Sequence, residues 1–335
     1  MKVLSDDKIH VVLAIYDPKG TYSRHAGVAM ASMFSNTTSS VCVHILHDET
    51  LNEGNRKNFI ELAEKYDKEL NFISVTEHIE KLRVVIDVDY HTGGFSRGTL
   101  FRYFVQDLLP VDRAIYLDCD VIVNMDIKEL WDIELGGCKI GAVYDGKIES
   151  KRRVFLYRYA GIDMENYFNS GVMLFDFKKM RGNVNICAEA LEFFRRYPYA
   201  IHPGQDCLNL IFQKSALIID RKFNYRKSGA DYSDMTGKLW HLTSLKPWEQ
   251  ATGLPTDALY WRYFAMTPWC GDLVTDITKA LAGSHLTHAH SRHCFKALWQ
   301  QLKRNLSPKP IAVLFKIAVI WYDMIYRVRK KWGYT

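Results

Sequence analysis

The chain has 335 residues, of which 48% are hydrophobic, 24% charged and 13% aromatic, with only nine prolines. That profile excludes disordered, collagenous and low-complexity proteins and suffices for one large core or two modest ones. The formal charge of +6 divides into a slightly acidic body, residues 1–275 with a net of −3, and a basic tail, residues 276–335, where eleven Lys and Arg face two Asp and no Glu for a net of +9.

Residues 9–16 (IHVVLAIY) are a near-continuous apolar run, which predicts a strand buried on both faces. A helix is expected over 22–35, a second strand at 41–47 (VCVHILH), a helix over 53–66 and a third strand at 70–75 (LNFISV). A helix over 99–109 then precedes a fourth strand at 113–117. The alternation predicts a doubly wound α/β sheet. A strand at 139–144, an apolar run at 167–177 and helices over 185–196 and 205–212 follow.

Asp6 and Asp7 stand where a signal peptide needs an apolar segment, so no secretory signal is expected. Seven cysteines without a Cys-x-x-Cys pair suit reduced thiols in a cytoplasm. The most apolar late stretch, 311–326, is broken by Lys316 and Asp323 and falls short of the ~20 residues of a membrane span.

Open α/β sheets bind ligands at the carboxyl ends of their strands. The first strand ends in Tyr16-Asp17 with no glycine-rich phosphate loop after it, which disfavours dinucleotide oxidoreductases and P-loop NTPases. The fourth ends in Asp118-Cys119-Asp120, followed by Val121-Ile122-Val123. Two carboxylates at i and i+2 offer hard oxygen ligands to Mg²⁺ or Mn²⁺, which can neutralise a diphosphate; alternatively the pair caps the turn toward residues 127–131. A second pair, Asp87 and Asp89, lacks a following apolar run and reads as solvated loop charge.

Residues 114–123 (AIYLDCDVIV), ending in Leu130-Trp131-Asp132, resemble the metal motif of glycosyltransferase family 8, which includes bacterial lipopolysaccharide α-galactosyl- and α-glucosyltransferases and glycogenin. Residues 167–175 (YFNSGVMLF) with 178–181 (KKMR), 205–209 (QDCLN), 222–225 (KFNY) and 241–248 (HLTSLKPW) are similar to its further motifs, in the same order. The resemblance implies a GT-A-type nucleotide-sugar-binding domain, residues 1–275, whose doubly wound mixed sheet precedes the mainly helical tail.

It also implies site residues. Asp118, Asp120 and His241 would hold Mn²⁺ or Mg²⁺, although His241 beside Trp240 also reads as a core histidine. Lys246 would neutralise a phosphate. Tyr16 and Asp17 would lie against the uracil and ribose of a UDP-hexose donor, with Cys119 lining the nucleotide site. Arg102 would reach the donor sugar; it also reads as a surface arginine at helical spacing. Asn169, Ser170 and Gly171 would form the sugar-binding turn, with Gly171 permitting close backbone approach. Gln205 and Asp206 would lie near the anomeric carbon, and Asp145 on the acceptor side or capping a turn with Gly146. The chain departs from the family pattern at Gly204, where a carboxylate is usual, and at residues 242–245, which lack the usual glycine.

The implied activity is retaining transfer of galactose or glucose to a glycan acceptor such as lipopolysaccharide core. Alternatives are a cytosolic protein or storage-glycan glucosyltransferase and an inactive carbohydrate-binding protein on the same fold. The tail mixes Trp299, Trp321 and Trp332 with basic residues, which suits an anionic membrane at the inner face of the cytoplasmic membrane or a helical subdomain packed on the body. No nucleic-acid-binding motif is present, so no nucleic-acid partner is expected. His285, His288, His290 and His293 have no Cys-x-x-Cys partner and do not read as a metal site.

Overall fold

The structure is a computed structural model that describes residues 8–83, 97–146, 160–162, 164–197, 203–227, 230–243 and 246–283. The chain divides into two compact units, one built from residues up to 230 together with 236–241, the other from 231–235 and residues from 242 onward. Asp87, Asp89, the four histidines from His285 to His293 and the tail beyond residue 283 lie outside the described residues.

The first unit holds a seven-stranded sheet. Its strands are β1 (Ile9–Ile15), β2 (Val41–His47), β3 (Glu69–Ser74), β4 (Arg113–Leu117), β6 (Ile140–Tyr144), β7 (Phe168–Asp176) and β8 (Ala216–Ile219), in the order β3-β2-β1-β4-β7-β6-β8. Two further strands, β5 (Val121–Asn124) and β9 (Lys238–His241), pair as a separate ribbon. The β1–β2, β2–β3, β1–β4 and β6–β8 pairs are parallel, whereas β7 runs antiparallel to both β4 and β6. The sheet is therefore mixed, as expected.

Every residue of β1 and β2 is buried, which is why both read as apolar runs rather than alternating ones. Edge strand β3 alternates toward solvent. Helices α1 (Ser23–Asn36), α2 (Glu53–Lys65) and α3 (Thr76–Arg83) follow the first three strands, and α4 (Ile186–Arg196) and α5 (Pro203–Phe212) follow β7. Asn52 and Asn185 cap α2 and α4 by accepting from Asn55 N and Ala188 N. The core against this sheet includes Phe101, Tyr103, Phe104, Phe175 and Phe194.

The segment expected as an α-helix over 99–109 is a 3₁₀ helix over Arg97–Phe104, followed by one α-turn at Val105–Leu108. Leu100, Phe101, Arg102, Tyr103 and Phe104 are all buried, so no solvent face imposes a 3.6-residue period. The Arg102 side chain folds back on this segment, its Nε donating to the Thr99 carbonyl at 2.9 Å.

The order β3-β2-β1-β4 reverses direction at β1, which makes the carboxyl ends of β1 and β4 the switch point where sheets of this kind bind ligands. Beside it, β7 carries an irregularity. Ala142 faces Met173, but the next residue, Val143, faces Asn169. The extra β7 residues between, Ser170, Gly171 and Val172, bulge at the end of β4, where Asp118 N donates to the Gly171 carbonyl at 2.7 Å.

In the second unit, α6 (Pro255–Phe264) begins with proline in its first turn, and α7 (Leu273–Gly283) follows. Tyr260 packs on Trp248, Trp261 and Phe264. Ala251 N donates to the Ala280 carbonyl at 2.8 Å. Among the described residues no helix is long and apolar enough to cross a membrane.

Candidate active site

Asp118 follows β4 and Asp120 precedes β5. Antiparallel pairing of β5 with β9 sets Val121 opposite His241, which delivers the imidazole to the residue next to Asp120. Donor atoms of Asp118, Asp120 and His241 lie within 4.8 Å of one another. His241 Nε2 stands 3.2 Å from Asp120 Oδ1 and 3.9 Å from Asp118 Oδ2.

The other imidazole nitrogen is committed. His241 Nδ1 lies 2.9 Å from Asn224 Oδ1, and Asn224 Nδ2 donates to Asn169 Oδ1 at 2.9 Å. An amide oxygen only accepts, so Nδ1 donates to Asn224 and Nε2 is the nitrogen that faces the two carboxylates. Such an arrangement requires a positive charge between them, either a proton or a metal ion. Two carboxylates and a neutral imidazole fixed through its far nitrogen are a donor set that fits a divalent ion of the Mn²⁺ or Mg²⁺ kind.

Arg102 closes the other side. Its guanidinium donates to Asp118 Oδ1 at 2.9 Å and to the Ser170 carbonyl and hydroxyl at 2.7 and 3.0 Å, over the Tyr116 ring. Tyr116 donates its hydroxyl to the same Asp118 oxygen at 3.0 Å. Burial works against the Arg102 charge, but Asp118 reverses that and holds its pKa above the ordinary value. The arginine is 3% exposed, so it is no surface residue. His241, at 6%, is buried as a core histidine would be, yet it faces the carboxylates.

A second network adjoins the first. Asn169 Nδ2 donates to Gln205 Oε1 at 3.1 Å and Asp145 Oδ1 at 3.2 Å, and Gln205 Nε2 donates to Asp145 Oδ2 at 3.1 Å. Ser170 N also donates to Gln205 Oε1, at 3.3 Å, and Gly171 N to Asn169 Oδ1, at 3.0 Å. Arg226 pairs with Asp145 Oδ1 and donates to the Tyr144 carbonyl at 2.9 Å.

Of the other residues singled out in the sequence, Asp17, Cys119 and Asp206 are buried, whereas Tyr16 and Lys246 are half-buried. The Asp17 carboxylate, 1% exposed, accepts from Thr21 N, Tyr22 N, Ser23 N, Ser23 Oγ and Asn55 Nδ2, so it organises the loop ahead of α1. Cys119 Sγ donates to the Ala14 carbonyl at 3.2 Å, and burial pushes its pKa well up. Asp206 is fully buried and accepts from the Tyr167 hydroxyl at 2.5 Å. Tyr16 lies beneath the Arg97 guanidinium, 5.1 Å from its ring centroid. Lys246 belongs to the second unit, where its ammonium donates to the Leu242 carbonyl and stands 5.7 Å from the Trp248 ring centroid.

Three participants were not picked out from the sequence. Asn224 stands inside the 222–225 block, whose motif marked the segment but not the side chain. Arg226, just beyond it, belongs to no motif. Tyr22 is the third: burial first, then the nearby Asp120 and Asp118 carboxylates, raises its phenol well above its ordinary pKa.

The model of glycosyl transferase family 8 matches residues 14–252. The chain belongs to glycosyltransferase family 8. Family membership makes glycosyl transfer its chemistry. The chain is similar to general stress protein A of Bacillus subtilis, 24% identical over 79% of this chain and 96% of that protein. It is also similar to lipopolysaccharide 1,2-glucosyltransferase of Escherichia coli, 25% identical over 78% of this chain and 80% of that one. Among solved structures, galactosyltransferase LgtC in complex with donor and acceptor sugar analogues superposes with a TM-score of 0.66 at 22% identity, covering 78% of this chain and 99% of that chain. That likeness establishes a GT-A-type fold for this family 8 chain.

Proposed function

We propose that this family 8 protein is a metal-dependent, retaining hexosyltransferase that moves galactose or glucose from a UDP-sugar to a glycan acceptor, such as lipopolysaccharide core or another cell-surface glycan. The observation that carries the reading is the convergence of Asp118, Asp120 and the Asn224-oriented His241 beyond the carboxyl end of β4, at the β1/β4 switch point. Similarity to a lipopolysaccharide glucosyltransferase supports the acceptor class.

In this reading Asp118, Asp120 and His241 hold Mn²⁺ or Mg²⁺, which when bound offsets the charge developing on the departing diphosphate. Lys246 supplies a further positive charge to the phosphates. Tyr16 and the loop organised by Asp17 receive the nucleoside, with the Cys119 backbone lining it. Arg102, Ser170 and Gly171 border the donor sugar. Asp145 faces the acceptor, and Asp206 supports the helix that carries Gln205.

The transfer breaks the bond from C1 to the phosphate oxygen and forms one from C1 to the acceptor oxygen. In this reading Gln205 takes the position where a double displacement would need a carboxylate nucleophile. Its amide is a poor nucleophile, and Asn169, Ser170 and Asp145 bond both of its ends. We therefore favour attack from the leaving-group side, with the departing phosphate oxygen taking the hydroxyl proton and Gln205 orienting the sugar. Residues 1–275 would serve as the catalytic domain. The basic residues 276–335 would bind an anionic membrane surface at the cytoplasmic face, each contributing on the order of 1 kcal/mol.

A screen of UDP-glucose, UDP-galactose and their N-acetyl forms for Mn²⁺-stimulated hydrolysis tests the donor. One hexose should be turned over well above the others. Metal-independent hydrolysis, or none with any UDP-sugar, would overturn the proposal.

A further inference from the structure

His10, Cys42 and His44 gather near the amino end of β1, opposite the end that carries the carboxylate site. The β1–β2 register pairs His10 with Cys42 and Val12 with His44. Alternate strand residues share a face, so all three side chains stand on one side of the sheet. One donor atom from each lies within 4.8 Å of the others, and the three residues are 6%, 3% and 5% exposed. His10 Nδ1 and His44 Nε2 are 3.0 Å apart. Asn71, opposite His44 on β3, donates to Cys42 Sγ at 3.1 Å, and the Trp131 ring edges onto His10.

We propose that His10, Cys42 and His44 form a zinc site that ties β1 to β2. Two imidazoles and a thiolate are the donor chemistry of tetrahedral zinc, with water in the fourth place, and differ from the oxygen-rich set at Asp118. Two nitrogens bound to one tetrahedral zinc stand about 3.3 Å apart, close to the 3.0 Å between His10 Nδ1 and His44 Nε2. The Asn71 amide is aimed at the sulfur, where its N–H stabilises a thiolate more than a thiol. Uptake of one ion releases the Cys42 thiol proton. One ring also changes tautomer, since a single N–H now lies between the two imidazoles. The competing description is a pair of rings sharing that proton beside an inert thiol, which predicts no metal uptake.

The test is Co²⁺ titration of the metal-stripped full-length protein, as wild type and as Asp120→Ala, followed by Zn²⁺ displacement. A thiolate-to-cobalt charge-transfer band should reach one equivalent in both proteins, because the carboxylate site contains no sulfur. Zn²⁺ should abolish it. In the Asp120→Ala protein, Zn²⁺ a hundred-fold above its Kd should raise Tm by roughly 5 °C. Cys42→Ser should lose the band. His10→Gln and His44→Gln, which leave the thiol in place, should weaken uptake more than the roughly 10–100-fold caused by losing an outer hydrogen-bond partner. No thiolate band in the wild type, or a band unchanged in Cys42→Ser, would overturn the site.

Discussion

Gly171 and His241 compete for one volume: a Cβ on the glycine would stand 2.2 Å from Cε1 of the imidazole and 2.9 Å from its Nδ1. The same Cβ would lie 2.7 Å from Asp118 Oδ2, so any side chain here must push apart the two residues that converge at the site. Gly171→Ala should therefore weaken Mn²⁺ binding and cost about 1–3 kcal/mol of stability. Isothermal titration of Mn²⁺ and a denaturant melt check this; a variant with wild-type metal affinity would remove the glycine from the site.

Asn224 holds His241 through Nδ1. Asn224→Ala should leave the fold intact while weakening metal affinity about 10–100-fold, the usual effect of removing a ligand's outer hydrogen-bond partner. Raising Mn²⁺ should restore much of the rate. A loss of rate that excess metal does not touch would place Asn224 elsewhere in the chemistry.

Arg102 and Asp118 form an ion pair at 2.9 Å with the arginine side chain 4% exposed. Arg102→Ala should destabilise the protein by about 3–5 kcal/mol, because an ionised carboxylate loses its partner in a largely buried setting. Arg102→Lys keeps the charge but not the fork that spans Asp118 and Ser170, and should recover only part of that stability. Chemical denaturation of the two variants ranks them.

Asp145 accepts from Asn169, Gln205 and Arg226. If it borders the acceptor, Asp145→Asn should lower kcat/KM for sugar transfer more than it lowers hydrolysis of the donor in water. Equal losses in the two assays would move Asp145 from the acceptor side to general support of Gln205.

His47 gives stability a pH dependence. Burial, with a smaller contribution from the Arg56 charge, lowers its pKa below the ordinary 6.5. Between the lowered folded value and 6.5 the unfolded chain binds more protons, so stability rises with pH through that window and falls on acidification. Nδ1 lies 2.9 Å from the Asp48 carbonyl and Nε2 faces Arg56 at 2.7 Å, the pattern of a neutral ring. His47→Gln should flatten the dependence of the melting midpoint on pH across this range.

Strands β1, β2 and β4 were legible because burial on both faces writes a strand as an apolar run. The carboxylates at 118 and 120 were legible because they interrupt such a run at a strand end. Other features had no local trace. The pairing of β5 with β9 joins two four-residue strands more than a hundred residues apart, so the delivery of His241 to Asp120 is a tertiary event. The β7 irregularity depends on partners in β4 and β6. Arg226 pairs with a carboxylate 81 positions away, and nothing beside it in the chain announces that. The 3₁₀ geometry around Arg102 was hidden because a segment buried all round carries no periodic signal. Gly171 shows a subtler difference: a glycine there invites a reading of close backbone approach, whereas the space it leaves is filled by His241 and Asp118.

The most direct measurement is turnover of the accepted UDP-hexose at saturating Mn²⁺ by wild type and Asp120→Ala, with matching circular dichroism for both. A metal-dependent transferase predicts a rate at least about 100-fold lower in the variant, in line with the loss of one group that stabilises developing charge. Indistinguishable rates in the two proteins would contradict catalysis at the Asp118, Asp120 and His241 site.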